Sequence, residues 1–149
     1  MAANDDLAAR IDALESKDAI RELTAAYCFA VAEARGMDIV DMFTADGAFK
    51  MRGREWRGTA GLTDMYGGMT DPQDTPKPYI QNHVIEVDGD TATGRCGVEI
   101  RLVHKGEAYT AAGHYFDTYR RENGEWKFVE RDFHTFHWVP LAKGWGPRD

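Results

Sequence analysis

Apolar positions recur at two different periods along this chain, and the change of period divides it. Leu7, Ile11 and Leu14 keep helical spacing, and Ile20, Leu23, Tyr27 and Val31 resume it after a break near Ser16 and Asp18, either of which can cap a second segment. This predicts an N-terminal arm leading into a main helix that Gly36 ends. Asp38 to Phe43 reads as one or two helical turns before Asp46-Gly47 turns the chain. A strand over Ala48 to Met51 and a reversal through Arg52-Gly53-Arg54-Glu55 to Trp56 come next. Thr59 then caps a helix carrying Leu62, Met65 and Tyr66 on one side, closed by Gly67 and Gly68. Residues 69–78 hold Pro72, Pro76 and Pro78, which cannot form a regular ladder and predict a loop able to cover a cavity mouth.

Beyond that loop the period is two. Strands are expected over Tyr79 to Val87, Thr91 to His104, Ala108 to Arg121 and Glu125 to Trp138, with Asp88-Gly89-Asp90, Lys105-Gly106 and Asn123-Gly124 as turns. The stretch Gly113 to Phe128 is the most informative, because one face of its first strand carries Tyr115, Asp117 and Tyr119 together. Hydroxyls and a carboxylate on a core-facing side point to a polar patch inside a pocket, the kind of place that holds a small molecule. With Tyr115 inward, His114, Phe116 and Thr118 face out, and the preceding strand turns Cys96, Val98, Ile100 and Leu102 in and Arg95, Glu99 and Arg101 out. His134 and His137 differ by three, so at most one lines the hollow, which argues against a zinc pair on that strand.

Helices first and a long antiparallel meander afterwards give an α+β class in which a bent sheet wraps around helices. The 149 residues form a single domain, 1–149, long enough to bury about 70% of its unfolded surface without a metal or disulfide staple. A formal charge of -7 with scattered basic residues argues against nucleic acid or an anionic membrane as a partner. Cys28 and Cys96 are too few for a disulfide framework, the N-terminus lacks a basic-then-apolar signal, and no apolar run reaches membrane-spanning length, so a reduced, cytoplasmic protein is expected.

Three segments carry a resemblance: Tyr27 ahead of Phe43-Thr44-Ala45-Asp46-Gly47, the run Ile85-Glu86-Val87-Asp88-Gly89-Asp90-Thr91-Ala92-Thr93-Gly94, and the Gly113 to Phe128 hairpin. Together they resemble the SnoaL-like branch of the NTF2-like superfamily over nearly the whole chain. The resemblance implies a cone-shaped α+β barrel, a homodimer through the sheet, and a lyase or isomerase working without metal or cofactor in the cone. Scytalone dehydratase, bile acid dehydratases, polyketide cyclases and cofactorless lyases of lignin-derived diarylpropanes are of this kind. Their dehydratases use an Asp five residues after the tyrosine matching Tyr27 and a His near the start of the third strand. This chain has Ala32 at the first position, with Glu33 adjacent, and Pro78 or Tyr79 at the second, with His83 further along the strand. Five residues separate Pro78 from His83, so His83 faces the other side of a regular strand unless a bulge intervenes.

The resemblance also places Phe133, Thr135 and His137 inward. The expected catalytic set is then Tyr27, His83, Tyr115, Asp117 and His137, with Met51, Trp56, Met65, Tyr66, Tyr79, Cys96, Ile100, Tyr119, Phe133 and Thr135 lining a substrate pocket. His137, His83 or Asp117 can serve as base, and Tyr27 and Tyr115 as donors to an oxygen. Plainer readings stand beside these: Tyr27 as a core tyrosine with a satisfied hydroxyl, Asp117 as the partner of a nearby arginine, His83 as a hydrogen-bonded strand residue, and His137 as C-terminal packing. The function expected is cofactor-independent elimination of water, or of formaldehyde by retro-aldol cleavage, from a small aromatic alcohol. A ligand-binding or dimerising module without chemistry, or a polyketide-type isomerase or cyclase, are the alternatives.

Overall fold

The computed structural model describes residues 2–146. Helix α1 (Ala2–Ala32) and the short α2 (Gly36–Asp41) precede β1 (Phe43–Met51), β2 (Arg54–Arg57) and α3 (Gly58–Tyr66). Four long strands complete the chain: β3 (Lys77–Asp88), β4 (Thr91–His104), β5 (Glu107–Glu122) and β6 (Glu125–Pro140). They form one open sheet in the order β2-β1-β6-β5-β4-β3. Only β1 and β6 run parallel; every other neighbouring pair is antiparallel. The helices pack on one side of this curved sheet, the α+β cone expected from the resemblance.

The expected break in the first helix does not occur. No Gly or Pro interrupts residues 2–32, and Ser16 is buried, accepting a hydrogen bond from Arg121 Nη1 at 3.3 Å. The helix ends at Ala32, ahead of Gly36, and Ala34 in the turn beyond it is left-handed with a φ of 59°. Gly36 serves a different purpose: a Cβ there would sit 1.9 Å from the Tyr66 carbonyl oxygen, so it lets α2 approach the end of α3. Asp46-Gly47 likewise does not turn the chain. Both lie inside β1, whose register against β6 shifts between Phe43 and Ala48, so an irregularity in the ladder replaces the predicted turn. Thr59 is not the cap of α3; that position is Arg57, with no capping side-chain bond.

Three bulges set which side chains point inward. In β3, Ile80 pairs with Val98 and His83 with Cys96, so Gln81 and Asn82 together oppose Gly97. In β6, Val129 is the extra residue between Phe128 and Glu130, and Phe136 the extra one between Thr135 and His137. Each extra residue reverses the in-and-out alternation beyond it. The interior holds Ile20, Tyr27 and Val31 of α1, Leu62 and Tyr66 of α3, and Val98, Tyr115, Tyr119, Phe128 and Phe133 of the sheet.

Candidate functional site

Directly opposite each other in the middle of the concave face stand Asp117 of β5 and Arg131 of β6. Neither side chain has any exposure. Arg131 Nε donates to Asp117 Oδ1 and Nη2 to Oδ2, both at 2.9 Å, and the Tyr119 hydroxyl donates to Oδ2 at 2.9 Å. Aromatic rings box the guanidinium: its carbon lies 3.8 Å from the Tyr115 ring centre, 4.4 Å from that of Tyr27 and 4.5 Å from that of Phe128. Burial works against the charged guanidinium, but the Asp117 carboxylate outweighs it and raises the Arg131 pKa well above its ordinary value. Nη2 also approaches Cys96 Sγ at 3.8 Å, whereas Nη1 is buried with no hydrogen-bond partner. A buried, unpaired donor on a permanent cation is costly and calls for a physical reason.

Arg131 is the residue that sequence reasoning missed. Its signal is the alternation itself, since running back two positions from Phe133 puts Arg131 on the same inward face. The arginine partner anticipated for Asp117 therefore exists, supplied by the neighbouring strand.

His83 reaches this cluster because of the bulge at Gln81 and Asn82, which turns it to the same face as Pro78 and Ile80. Its Nε2 is 3.4 Å from the Tyr119 hydroxyl, which in turn holds Asp117. Gly94 makes the meeting possible: a Cβ there would lie 2.9 Å from the Tyr119 hydroxyl oxygen and 3.2 Å from His83 Nε2. Burial lowers the His83 pKa below 6.5; the Asp117 carboxylate pulls it up, while Arg131 and Arg21 push it further down. The imidazole is thus neutral at pH 7 and can accept a proton. Above it, Tyr27 and Tyr66 share a hydroxyl–hydroxyl bond of 2.9 Å. Desolvation raises the pKa of Tyr27, Tyr66, Tyr115 and Tyr119, keeping all four as hydrogen-bond donors and none as a base. Desolvation also pushes the Cys28 thiol up to about 11 and the Cys96 thiol up to about 12, so neither is an activated nucleophile.

Several expected site residues lie elsewhere. His137 is on the outer face, because the bulge at Phe136 pairs it with outward Ala112; it stacks on Trp145 with ring centres 5.3 Å apart, and its Nε2 is buried without a partner. Trp138 turns inward in its place, pairing with buried Ala111. Tyr79 pairs with outward Glu99 and is 52% exposed beneath the Arg101 guanidinium. Glu33 is exposed and pairs with Arg35 at 2.8 Å. Asp117 has both oxygens engaged and is not a free base. Tyr27, Tyr66, Tyr115, Tyr119, Cys96, Ile100 and Phe133 are buried in the core, and Met51, Trp56 and Met65 pack against it half-buried. Thr135, opposite Gly113, stays on the concave side at the bulge.

The hollow around Arg131 is filled by these side chains instead of standing open. Beside it, between α1 and β3, an apolar groove of about 330 Å³ is lined by Ala25, Cys28, Phe29, Ala32, Lys77, Pro78, Tyr79 and Ile80. Ala32 and Pro78 or Tyr79, the residues that the resemblance sets at the two dehydratase positions, all line this groove, whose wall there is apolar. Among the described residues, no three His, Cys, Asp or Glu side chains are grouped to hold a metal ion, and no helix is long and apolar enough to cross a membrane.

Residues 12–132 match the SnoaL-like domain family. The chain belongs to the SnoaL-like family. An NTF2-like protein with a cystatin-like fold from Novosphingobium aromaticivorans is 26% identical, with a TM-score of 0.73, over 87% of this chain and 88% of that one. LinA is 25% identical, with a TM-score of 0.77, over 91% and 96%. LinA-type3, a hexachlorocyclohexane dehydrochlorinase from Novosphingobium barchaimii, shares the fold at 23% identity and a TM-score of 0.75, over 91% and 97%. Among curated proteins none matches significantly. SnoaL-like chains of this shape include lyase-type enzymes, and the family also contains members without chemistry.

Proposed function

We propose that this SnoaL-like chain is a cofactor-independent lyase that eliminates water, or formaldehyde by retro-aldol cleavage, from a small hydrophobic aromatic alcohol such as a lignin-derived diarylpropane. The observation that carries the reading is the unpaired Nη1 of Arg131, a permanent cation aimed into an aromatic box beside a neutral imidazole. A ring enters by the groove beside Cys28 and parts α1 from β3. Its oxygen takes the free Nη1 donor, and the Tyr27 hydroxyl adds a second. His83 is the base. In dehydration it takes a C–H proton, the C–H electron pair becomes the new π bond, the C–O bond breaks, and the imidazolium returns the proton to the departing hydroxyl as water. In deformylation it takes the proton of a hydroxymethyl group, the C–C bond breaks to release formaldehyde, and the carbanion takes that proton back. The dehydrochlorinase named among the neighbours lends support, being an elimination enzyme on the same fold.

The test is incubation of the purified protein with a panel of aromatic diols and diarylpropanes, following products by mass. The expected result is loss of 18 or 30 mass units, as water or formaldehyde, with turnover falling at least ~10-fold in His83→Asn while the fold is retained. A second reading, a ligand-binding module without chemistry, is favoured by the filled hollow and the apolar wall at Ala32 and Pro78. Saturable binding of panel members with no product, in wild type and His83→Asn alike, would establish that reading and end the first.

A further inference from the structure

Tyr119 stands between Asp117 and His83, and its hydroxyl has one proton for two acceptors. Asp117 Oδ2 lies at 2.9 Å on one side and His83 Nε2 at 3.4 Å on the other. The buried carboxylate also receives Arg131 Nε and Nη2. Were the proton turned to His83, a phenol lone pair would face that carboxylate at 2.9 Å, two negative ends opposed in a low-dielectric interior. With the proton on Asp117, a lone pair of the Tyr119 oxygen is what Nε2 meets, and only a protonated Nε2 can bond to it. A neutral imidazole has a single N–H, so Nδ1 then holds the free lone pair. The fold makes room for this contact on both faces of β4. Gly94 clears the inner face beneath Tyr119 and His83, and Gly97 clears the outer face at the β3 bulge, where a Cβ would meet Asn82 Oδ1 at 2.5 Å.

We infer that Tyr119 is a positioning residue for the base: its hydroxyl, anchored on Asp117, accepts a hydrogen bond from His83 Nε2, so that Nδ1 is the nitrogen that takes the substrate proton. This rests on the reading of His83 as base. The groups that face the imidazole are Tyr119 and Asp117 of β5, Arg131 of β6 and Arg21 of α1, while β4 presents uncharged Gly94 and Cys96. Burial is the largest influence against a charged His83, Arg131 and Arg21 add to it, and the Asp117 carboxylate opposes them. Tyr119 is the contact through which that carboxylate reaches the ring. When Nδ1 takes the proton, both ring nitrogens carry N–H, and the bond from Nε2 to Tyr119 becomes charge-assisted and shortens from 3.4 Å. Tyr119 keeps its own proton on Asp117 throughout, since burial raises its pKa, and no proton passes along the chain of bonds. A carboxylate thus fixes the tautomer of a histidine through one intervening hydroxyl, where a dyad would do so by direct contact.

Nitrogen NMR of the His83 side chain, identified by the signals that His83→Asn removes, tests this independently of any turnover. Above pH 7 the wild type is expected to show Nε2 protonated and Nδ1 unprotonated. In Tyr119→Phe the imidazole pKa is expected to fall by at least ~0.5 pH unit, because the charged form loses its acceptor. The sign discriminates: a hydroxyl that donated to Nε2 would stabilise the neutral ring, and its removal would raise the pKa. A pKa that rises or stays in place in Tyr119→Phe overturns the inference. So does an unprotonated Nε2 in the wild type, a measurement that needs no variant. With the aromatic panel, the acid limb of turnover in Tyr119→Phe should move to lower pH together with the pKa read by NMR. The lowered pKa without product from any panel member ends the lyase reading and upholds the hydrogen-bonded link; product with an unmoved pKa ends the link and leaves the lyase reading standing.

Discussion

Two arginines of neighbouring strands, Arg121 and Arg131, are both held by aspartates, and their surroundings make them different objects. Arg121 is 22% exposed and bridges Asp12 of α1 and Asp90 of the β3–β4 turn, with bonds of 2.8 Å to each. Water competes for every one of those contacts and salt screens them, so the cluster ties the helix to the sheet without governing the fold. Arg131 and Asp117 are fully buried, and each is the other's main compensation for lost hydration. The same chemistry is thus a fastener at the surface and a commitment in the interior. What distinguishes the interior pair is the donor left over: a cluster evolved only for stability would gain by apolar replacement, whereas Nη1 remains unspent.

The sharpest way to break this comparison is to remove one interior partner. Arg131→Met leaves Asp117 buried and uncompensated and is expected to cost about 3–5 kcal/mol in urea unfolding. Asp117→Leu/Arg131→Met together should recover most of that loss; additive losses would show that the pair does not act as a unit. Gly94→Val comes next, because the new side chain presses on Tyr119 and His83, with an expected cost of about 1–3 kcal/mol. Tyr119→Phe removes a donor from Asp117 and should cost about 1–2 kcal/mol. Arg121→Ala should have the smallest effect, one that shrinks further in high salt; a loss matching that of Arg131→Met would erase the distinction between the two sites.

The imidazole sharpens the same comparison through pH. His83 has a folded pKa below 6.5, so between that depressed value and 6.5 the unfolded chain binds more protons than the folded one. Its contribution to stability is present above about pH 6.5 and is lost as pH falls from there toward the folded pKa. His83→Asn should flatten that part of the unfolding profile. Turnover, with His83 as base, should hold steady above pH 7 and fall on the acid side of 6.5. An acid limb unchanged in the His83→Asn variant would take the base assignment away from this residue.

The course of the chain was legible from periodicity: β4 matches its expected bounds, β3, β5 and β6 extend theirs by one or two residues, and Tyr115, Asp117 and Tyr119 share one buried face. These features follow from local alternation and turn chemistry, which neighbouring residues specify by themselves. What lay beyond reach was the reading frame of the alternation after each bulge. The extra residues at Gln81–Asn82 and Phe136 bring His83 in and send His137 out, and nothing in either local sequence marks them as extra. A bulge is settled by how two strands align across the ladder, so it belongs to the pair and not to either segment. The union of Asp117 with Arg131 is of the same kind. Sequence by itself determined that a carboxylate would face the core; only the packed sheet decided which cation would meet it there, because burial forces a pairing that extended chains in water never need.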